Sequence, residues 1–283
     1  MSLNIIMLNI SMNIAIRPIL KWAGGKKNLL KSILSNIPHA FNNYIEPFVG
    51  GGALFFALNL RNSIINDINF HLINFYREIA HNLDNFLLEI EKYNNTPLTK
   101  EYYVYIRNSF NNEDLTNLQK ACIFLYLNKT CYNGLYRENS NGIFNTPFGK
   151  YKKISLYEVK NLQLASKLLR EVKVLNLDFF CLLDFIKKDD FVYLDPPYIP
   201  RSKTSNFTNY SKYGFDFEMH KKLLHFCNKI DTKGAKFLLS NSNTDSSLEL
   251  YKNYHVIFVD SKRFINSNPM KRSSIKEILV KNF

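Results

Sequence analysis

Cysteine is scarce in this 283-residue chain, and its four thiols, Cys122, Cys131, Cys181 and Cys227, stand far apart at irregular intervals. No CxxC and no Cys/His cluster occurs, so neither a zinc site nor a disulfide framework is indicated. The thiols read as small buried groups in a reducing cytoplasm. Long apolar runs are missing too. The first sixteen residues are apolar but broken by Asn4, Asn9 and Asn13, and the first positive charge, Arg17, comes after them. That order lacks the basic start and small-residue cleavage site of a secretory signal, and no later run reaches the length of a membrane span. Residues 1–16 are therefore read as a leader outside the folded unit, poorly ordered or left by cloning. The chain has no internal repeat, no low-complexity tract and no GxGxxG fingerprint of dinucleotide binding.

Negative charge is the last scarcity. Asp and Glu number 24 against 37 Lys and Arg, leaving a formal charge of +13. So much positive charge calls for a polyanionic partner, and both nucleic acid and a membrane surface qualify. What is present is an ordinary globular composition, 46% hydrophobic and 22% charged, which excludes wholesale disorder. The length suits one large domain, or one domain carrying an insertion.

From Arg17 onward the hydrophobic pattern alternates between strand and helix periods. Leu29, Leu30, Ile33, Leu34 and Ile37 recur at helical spacing after the Gly24-Gly25 turn. Residues 44–48 read as a short strand running into Gly50-Gly51-Gly52, then a helix over 53–60 and a second strand over 63–66. Strand, glycine turn, helix and strand in that order open a parallel α/β sheet. Between about 70 and 157 the periods are helical, and they give way to a turn-rich aromatic segment over 131–153. Strand signals return at 172–177, 191–194, 236–239 and 255–259, and 275–280 is placed as the strand that closes the sheet. The expected organisation is one α/β unit over 17–69 and 158–283, with a helical insertion over 70–157.

Three places on this frame carry chemistry. Glu46-Pro47-Phe48 leads into Gly50-Gly51-Gly52 directly after the first strand. Glycines there let a ligand approach the backbone at the positive end of the next helix, although a plain tight turn would use them as well. Their contiguity disfavours hydride transfer. Asp67 ends the second strand, where a carboxylate either accepts from both hydroxyls of a ribose or caps the following helix. Asp195-Pro196-Pro197-Tyr198 follows the strand at 191–194. Neither proline can donate to a ladder, so the strand stops and holds Asp195 and the Pro196 carbonyl at its C-terminal edge. Two adjacent acceptors suit an amine with two hydrogens, and Tyr198 offers a face to a planar base. An incidental acid in a strand-ending turn is the plainer alternative.

Pro18-Ile19-Leu20-Lys21-Trp22-Ala23-Gly24-Gly25-Lys26, the stretch 46–53, Asn66-Asp67-Ile68-Asn69 and Asp195–Tyr198 together resemble the DNA adenine methylase (Dam) family, the D12 class of N6-adenine-specific DNA methyltransferases. The likeness runs from Arg17 to Phe283. It takes in residues 131–151, Asn206-Phe207-Thr208, Leu239-Ser240-Asn241 and the spaced Asn268, Arg272 and Glu277. The resemblance implies a Rossmann-like S-adenosylmethionine-dependent methyltransferase sheet with an inserted helical target-recognition domain. It implies S-adenosylmethionine as cofactor and no metal. Trp22, Ala23, Gly24, Gly25 and Lys26 would line its methionine and sulfonium end, Lys26 pairing the carboxylate. Glu46, Pro47, Phe48, Gly50 and Asp195 complete the cofactor wall, Asp67 holds the ribose, and Asp178 with Phe179 flanks the adenine. Asp195, Pro196 and Tyr198 would act on the exocyclic amine of an adenine flipped from duplex DNA.

By the same resemblance Lys21, Tyr132, Asn133, Leu135, Arg137, Pro147 and Tyr151 bind double-stranded DNA at GATC. Arg137 would read the guanine pairing with the final cytosine, unless it merely clamps a phosphate. Leu135 and Pro147 would touch the thymine, Tyr132 would wedge into the stack, and Lys21 would contact the first guanine. Thr146 departs from the usual apolar residue beside Pro147. Over 121–160, Lys129, Arg137, Lys150, Lys152, Lys153 and Lys160 face only Glu138 and Glu158. Tyr126, Tyr132, Tyr136, Phe144, Phe148 and Tyr151 are interleaved, a pattern of phosphate contact and base stacking, though charge runs are commonly just solvated faces. The expectation is a cytoplasmic, nucleoid-associated enzyme, monomeric or dimeric on DNA, with no membrane partner. Two other readings stay open: a methyltransferase on another planar amine such as cytosine or RNA, and a DNA-binding protein with an inactive methyltransferase fold. Aspartate in Asp195–Tyr198 favours adenine, since cytosine-directed relatives usually carry serine there.

Overall fold

The computed structural model describes residues 6–7, 16–201, 215–261 and 275–283. Asn206-Phe207-Thr208, Asn268 and Arg272 lie outside the described residues. Part of the apolar start joins the fold: β1 (Ile6–Met7) pairs antiparallel with β2 (Ala40–Phe41), and Ile16 is buried. Between them, α1 (Leu30–Leu34) follows the short 3-10 turn Lys26–Asn28. The helical period seen in the sequence from Leu29 to Ile37 is realised as this single short helix.

β3 (Tyr44–Glu46), α2 (Ala53–Leu58) and β4 (Ser63–Asn66) form the first strand–helix–strand unit. Four helices follow before the turn-rich segment: α3 (Phe70–His81), α4 (Leu83–Asn94), α5 (Lys100–Asn112) and α6 (Asn117–Thr130). Then come α7 (Val159–Leu169), β5 (Lys173–Leu175), β6 (Phe191–Leu194), α8 (Phe217–Thr232), β7 (Lys236–Ser242), α9 (Asp245–Leu250), β8 (His255–Ser261) and β9 (Ile275–Lys281). The seven-stranded sheet has the order β5-β4-β3-β6-β7-β9-β8. Pairs from β5 through β7 are parallel, and β9 runs antiparallel to both neighbours. The segment at 275–280 therefore does not close the sheet. β9 pairs antiparallel with both β7 and β8 and so lies inside the sheet, leaving β8 at the edge.

Strands buried on both faces send alternate residues to opposite cores. Tyr44, Phe191, Tyr193 and Leu279 face one core, with Phe75 of α3 and Phe124 of α6. Ile45, Val192, Leu194 and Ile278 face the other, with Leu223 and Phe226 of α8. α6 is buried on every side, nine of its fourteen residues being inaccessible, as the central helix of a cluster must be. The strand order reverses between β3 and β6. Open α/β sheets bind ligands at that switch, outside the carboxyl ends of the strands. No described helix is long and apolar enough to cross a membrane. Cys181 is exposed, whereas the other three cysteines are buried as expected.

Candidate active site

The carboxyl ends of β3, β4 and β5 are stitched together by Asn66, which is 1% exposed. Its amide donates to the Pro47 and Leu177 carbonyls, both at 3.0 Å, and its oxygen accepts from the Leu177 N–H at 2.9 Å. Beside it, Asp67 accepts from the Gly50 N–H and the Asn69 N–H, both at 3.0 Å. Each carboxylate oxygen has thus taken one donor and retains acceptor capacity. Burial nevertheless pushes the Asp67 carboxyl up to about 6, against the pull of its backbone donors. The alternative role as a helix cap falls to Asn69, whose side chain accepts from Leu72 N–H at the start of α3.

Gly50 and Gly52 adopt left-handed backbone angles, φ +48° and +68°. A Cβ on Gly50 would lie 2.7 Å from the Trp22 ring, so the indole needs that glycine to seat itself on the turn. Trp22 then stacks on Tyr136 at 5.7 Å, linking the glycine turn to the segment over 131–151. Glu46 is buried at the end of β3 and accepts from the Tyr44 hydroxyl at 2.7 Å. Burial raises its carboxyl to about 8, and the Asp195 charge adds to the effect. Asp178 accepts from Phe180 N–H at 2.9 Å and from Lys222 of α8 at 3.0 and 3.1 Å. Phe179 and Phe48 face each other with centroids 5.3 Å apart. Glu46, Asp67 and Asp178 thus stand at the carboxyl ends of β3, β4 and β5, beside the switch point.

Asp195 lies at the centre. Its Oδ1 accepts from Lys26 Nζ at 2.6 Å and from Ser240 Oγ at 2.8 Å. Burial raises its carboxyl, and both donors oppose the rise. Lys26 also donates to the Gly24 carbonyl at 2.8 Å and sits 4.5 Å above the Tyr198 ring. Its ammonium is the counter-charge to Asp195, as a carboxylate taken out of water requires, and two of its three N–H groups are in use. Tyr198 donates its hydroxyl to the buried Glu277 of β9 at 2.9 Å. Among the described residues neither Asp195 Oδ2 nor the Pro196 carbonyl has a hydrogen-bond partner.

The segment after α6 folds back on itself, with Cys131 bridging Phe148 and Tyr132 N–H donating to the Pro147 carbonyl at 2.8 Å. Buried Asn128 pairs with the peptide of Lys21, accepting from its N–H at 2.9 Å and donating to its carbonyl at 2.7 Å. Lys21 lies over Tyr151 at 4.9 Å and against Gly134. Arg137 donates through Nε to Asn145 Oδ1 at 2.7 Å and through Nη2 to the Asn145 carbonyl at 3.4 Å. Thr146 is buried and donates to the Leu135 carbonyl at 2.6 Å, so its hydroxyl faces inward. Tyr132 is 56% exposed, with Asn133, Leu135 and Pro147 beside it in the same turn.

Part of the expected cation–aromatic surface is core instead. Tyr126, Tyr136 and Phe144 are buried, because α6 and the folded-back turn pack their rings inward. Lys129 donates to the Ile19 carbonyl at 2.5 Å, and burial lowers its ammonium to about 8. Lys150, Lys152 and Lys153 remain exposed. Sequence reasoning gave no role to Asn66, Asn128, Lys222, Ser240 or Glu277. The signal for Ser240 and Glu277 was their place in family stretches, and the partners they take depend on strand order.

The family model for D12 class N6 adenine-specific DNA methyltransferases matches residues 22–265. The chain is 40% identical to a type II methyltransferase, M.MjaIII, of Methanocaldococcus jannaschii, covering 95% of this chain and 99% of that protein. It is 36% identical to the type II methyltransferase M1.LlaDCHI of Lactococcus lactis subsp. cremoris, over 95% of this chain and 96% of that one. A DNA adenine methylase of Haemophilus influenzae is 36% identical, with 93% of each chain covered. Likeness of this extent, on a seven-stranded sheet with Asp195 at its switch point, shows that the chain belongs to the D12 class of N6 adenine-specific DNA methyltransferases.

Proposed function

We propose that the protein transfers a methyl group from S-adenosylmethionine to the N6 amine of a flipped adenine in double-stranded GATC, in the cytoplasm. The observation that carries this reading is the end of β6, where Asp195 Oδ2 and the Pro196 carbonyl are two acceptors without a partner among the described residues. The donor set at the neighbouring strand ends fits S-adenosylmethionine: Asp67 keeps acceptor capacity for a ribose diol, and Phe48 and Phe179 supply ring faces near Asp178. When bound, that group supplies an electrophilic methyl on a sulfonium. Adenine's amine is a poor nucleophile because its lone pair is conjugated into the ring. Hydrogen bonds from its two N–H groups to Asp195 and to the Pro196 carbonyl favour a pyramidal nitrogen with a directed lone pair. Tyr198 stacks on the flipped base.

For target choice, Arg137 reads guanine, and Lys21 contacts the first guanine. Tyr132 wedges into the stack, Leu135 and Pro147 meet the thymine, and Asn133 and Tyr151 support the contact. The test is incubation with S-adenosylmethionine and genomic DNA lacking adenine methylation, followed by mapping of modified bases. N6-methyladenine confined to GATC is the expected result. Modification of another sequence overturns the target, and no transfer from this donor overturns the chemistry.

A further inference from the structure

Asp195 Oδ1 already accepts two hydrogen bonds, from Lys26 at 2.6 Å and from Ser240 at 2.8 Å, which fills both of its lone pairs. Ser240 is fully buried on β7. The parallel ladder pairs Tyr193 with Leu238 and Leu194 with Leu239, so Ser240 stands next to Asp195, one step beyond the last pair. Its single proton goes to Asp195, and its oxygen therefore accepts from the Tyr193 hydroxyl, 3.3 Å away and itself buried. The serine hydroxyl is thus held between Asp195 and Tyr193.

We infer that Ser240 is a positioning residue for methyl transfer: together with Lys26 it occupies Oδ1 of Asp195, fixes the carboxylate plane, and leaves Oδ2 as the oxygen that receives the adenine amine. The inference rests on the role proposed for Asp195. It has a charge consequence as well as a geometric one. The groups facing Asp195 are Lys26 from the 3-10 turn, Glu46 and Tyr44 from β3, Tyr193 from β6, Tyr198 from the following turn, Ser240 from β7 and Glu277 from β9. Among them only Lys26 is a cation, and Ser240 is the neutral donor that helps it hold the carboxylate ionised. Removing the hydroxyl raises the carboxyl further toward neutrality, and a protonated Asp195 is a poorer acceptor for an amine.

The experiment compares Ser240→Ala and Ser240→Thr with the parent, and uses Asp195→Asn as the control. Expected for Ser240→Ala is a fall in kcat of about 10- to 100-fold, the worth of one hydrogen bond to a charged group, with KM for donor and for DNA little changed. The acid limb of its kcat profile moves to higher pH. In the protein without donor or DNA, the 13C titration of the Asp195 carboxyl, assigned by its loss in Asp195→Asn, moves the same way. Ser240→Thr keeps the hydroxyl and restores both values. Where Ser240→Ala does not fold, Ser240→Cys, with a weak donor of similar size, takes its place. An unchanged kcat and titration in Ser240→Ala, with Asp195→Asn inactive, overturns this inference alone. Equal losses in the Ala and Thr variants with lowered melting temperatures reduce Ser240 to a packing role and overturn it too. An Asp195→Asn protein as active as the parent overturns the reading of Asp195 beneath it.

Discussion

The acids at these strand ends differ in what burial does to them, and that difference makes them separable by mutation. Asp195 is tied on one oxygen only, so its replacement should remove the contact proposed for the reacting amine as well as the partner of Lys26. Asp195→Ala is expected to lower methyl transfer by about 10²–10³ while duplex binding persists, which single-turnover assays and a gel-shift titration measure separately. Asp67 faces the proposed ribose side. Asp67→Ala should weaken the donor by about 1.5–3 kcal/mol per lost hydroxyl contact at most, leaving DNA affinity near its parent value, as calorimetry would show. Glu46 is a different kind of acid. Its carboxyl rises from 4.5 to about 8 because burial penalises the charged form. A carboxyl that binds its proton more tightly folded than unfolded takes up protons on folding, so stability falls as pH rises from about 4.5 through about 8. Glu46→Gln, which still accepts from Tyr44, should flatten that decline in a series of urea melts. A decline of unchanged slope would remove Glu46 as its source.

At the scale of elements, the turn after α6 depends on one glycine. Gly134 has φ +65°, and a Cβ there would lie 2.4 Å from the Lys21 Cβ. Gly134→Ala is therefore expected to cost about 1–2 kcal/mol in backbone strain and to displace Lys21. Its signature is a loss of discrimination at the first base of the target together with a lower melting temperature. The strands were the most legible part of the fold, because Tyr44–Glu46, Ser63–Asn66 and Phe191–Leu194 are short apolar runs ending in turn residues. The lateral order was not legible. Ser240 meets Asp195, and Glu277 meets Tyr198, only because β7 and β9 lie where they do, and no local pattern encodes that neighbourhood. The aromatic residues of the turn segment misled for a related reason. An aromatic on an all-buried helix looks in sequence like one on a wet surface, and Tyr132 differs from Tyr136 only through the fold around it. Lys26 was legible as a site residue from its motif, but its partner was not.

For the whole molecule, the +13 charge becomes a statement about salt. Each phosphate neutralised by a cation contributes about −0.9 to the slope of log affinity against log salt. Exposed Lys150, Lys152 and Lys153 are the cations of the turn segment best placed to contribute, since Lys129 is spent on the Ile19 carbonyl. Lys152→Ala should weaken all duplexes alike and reduce the slope by roughly 1 if Lys152 meets a phosphate. Arg137→Ala should instead cost about 1–3 kcal/mol and relax one base position, the mark of a base reader. Uniform weakening in that variant would make Arg137 a phosphate clamp.

The antiparallel strand β9 lies between β7 and β8, although it is made after both. A nascent chain that has released β8 still has β7 with one edge bare, waiting for a partner not yet synthesised. Glu277, the acceptor for Tyr198, rides on that late strand. The corner that holds Tyr198 is consequently among the last parts of the molecule to be completed. A chain interrupted before Ile275 should carry a formed glycine turn beside an open sheet edge. Such a species invites edge-to-edge association in the cell before it can act on any base.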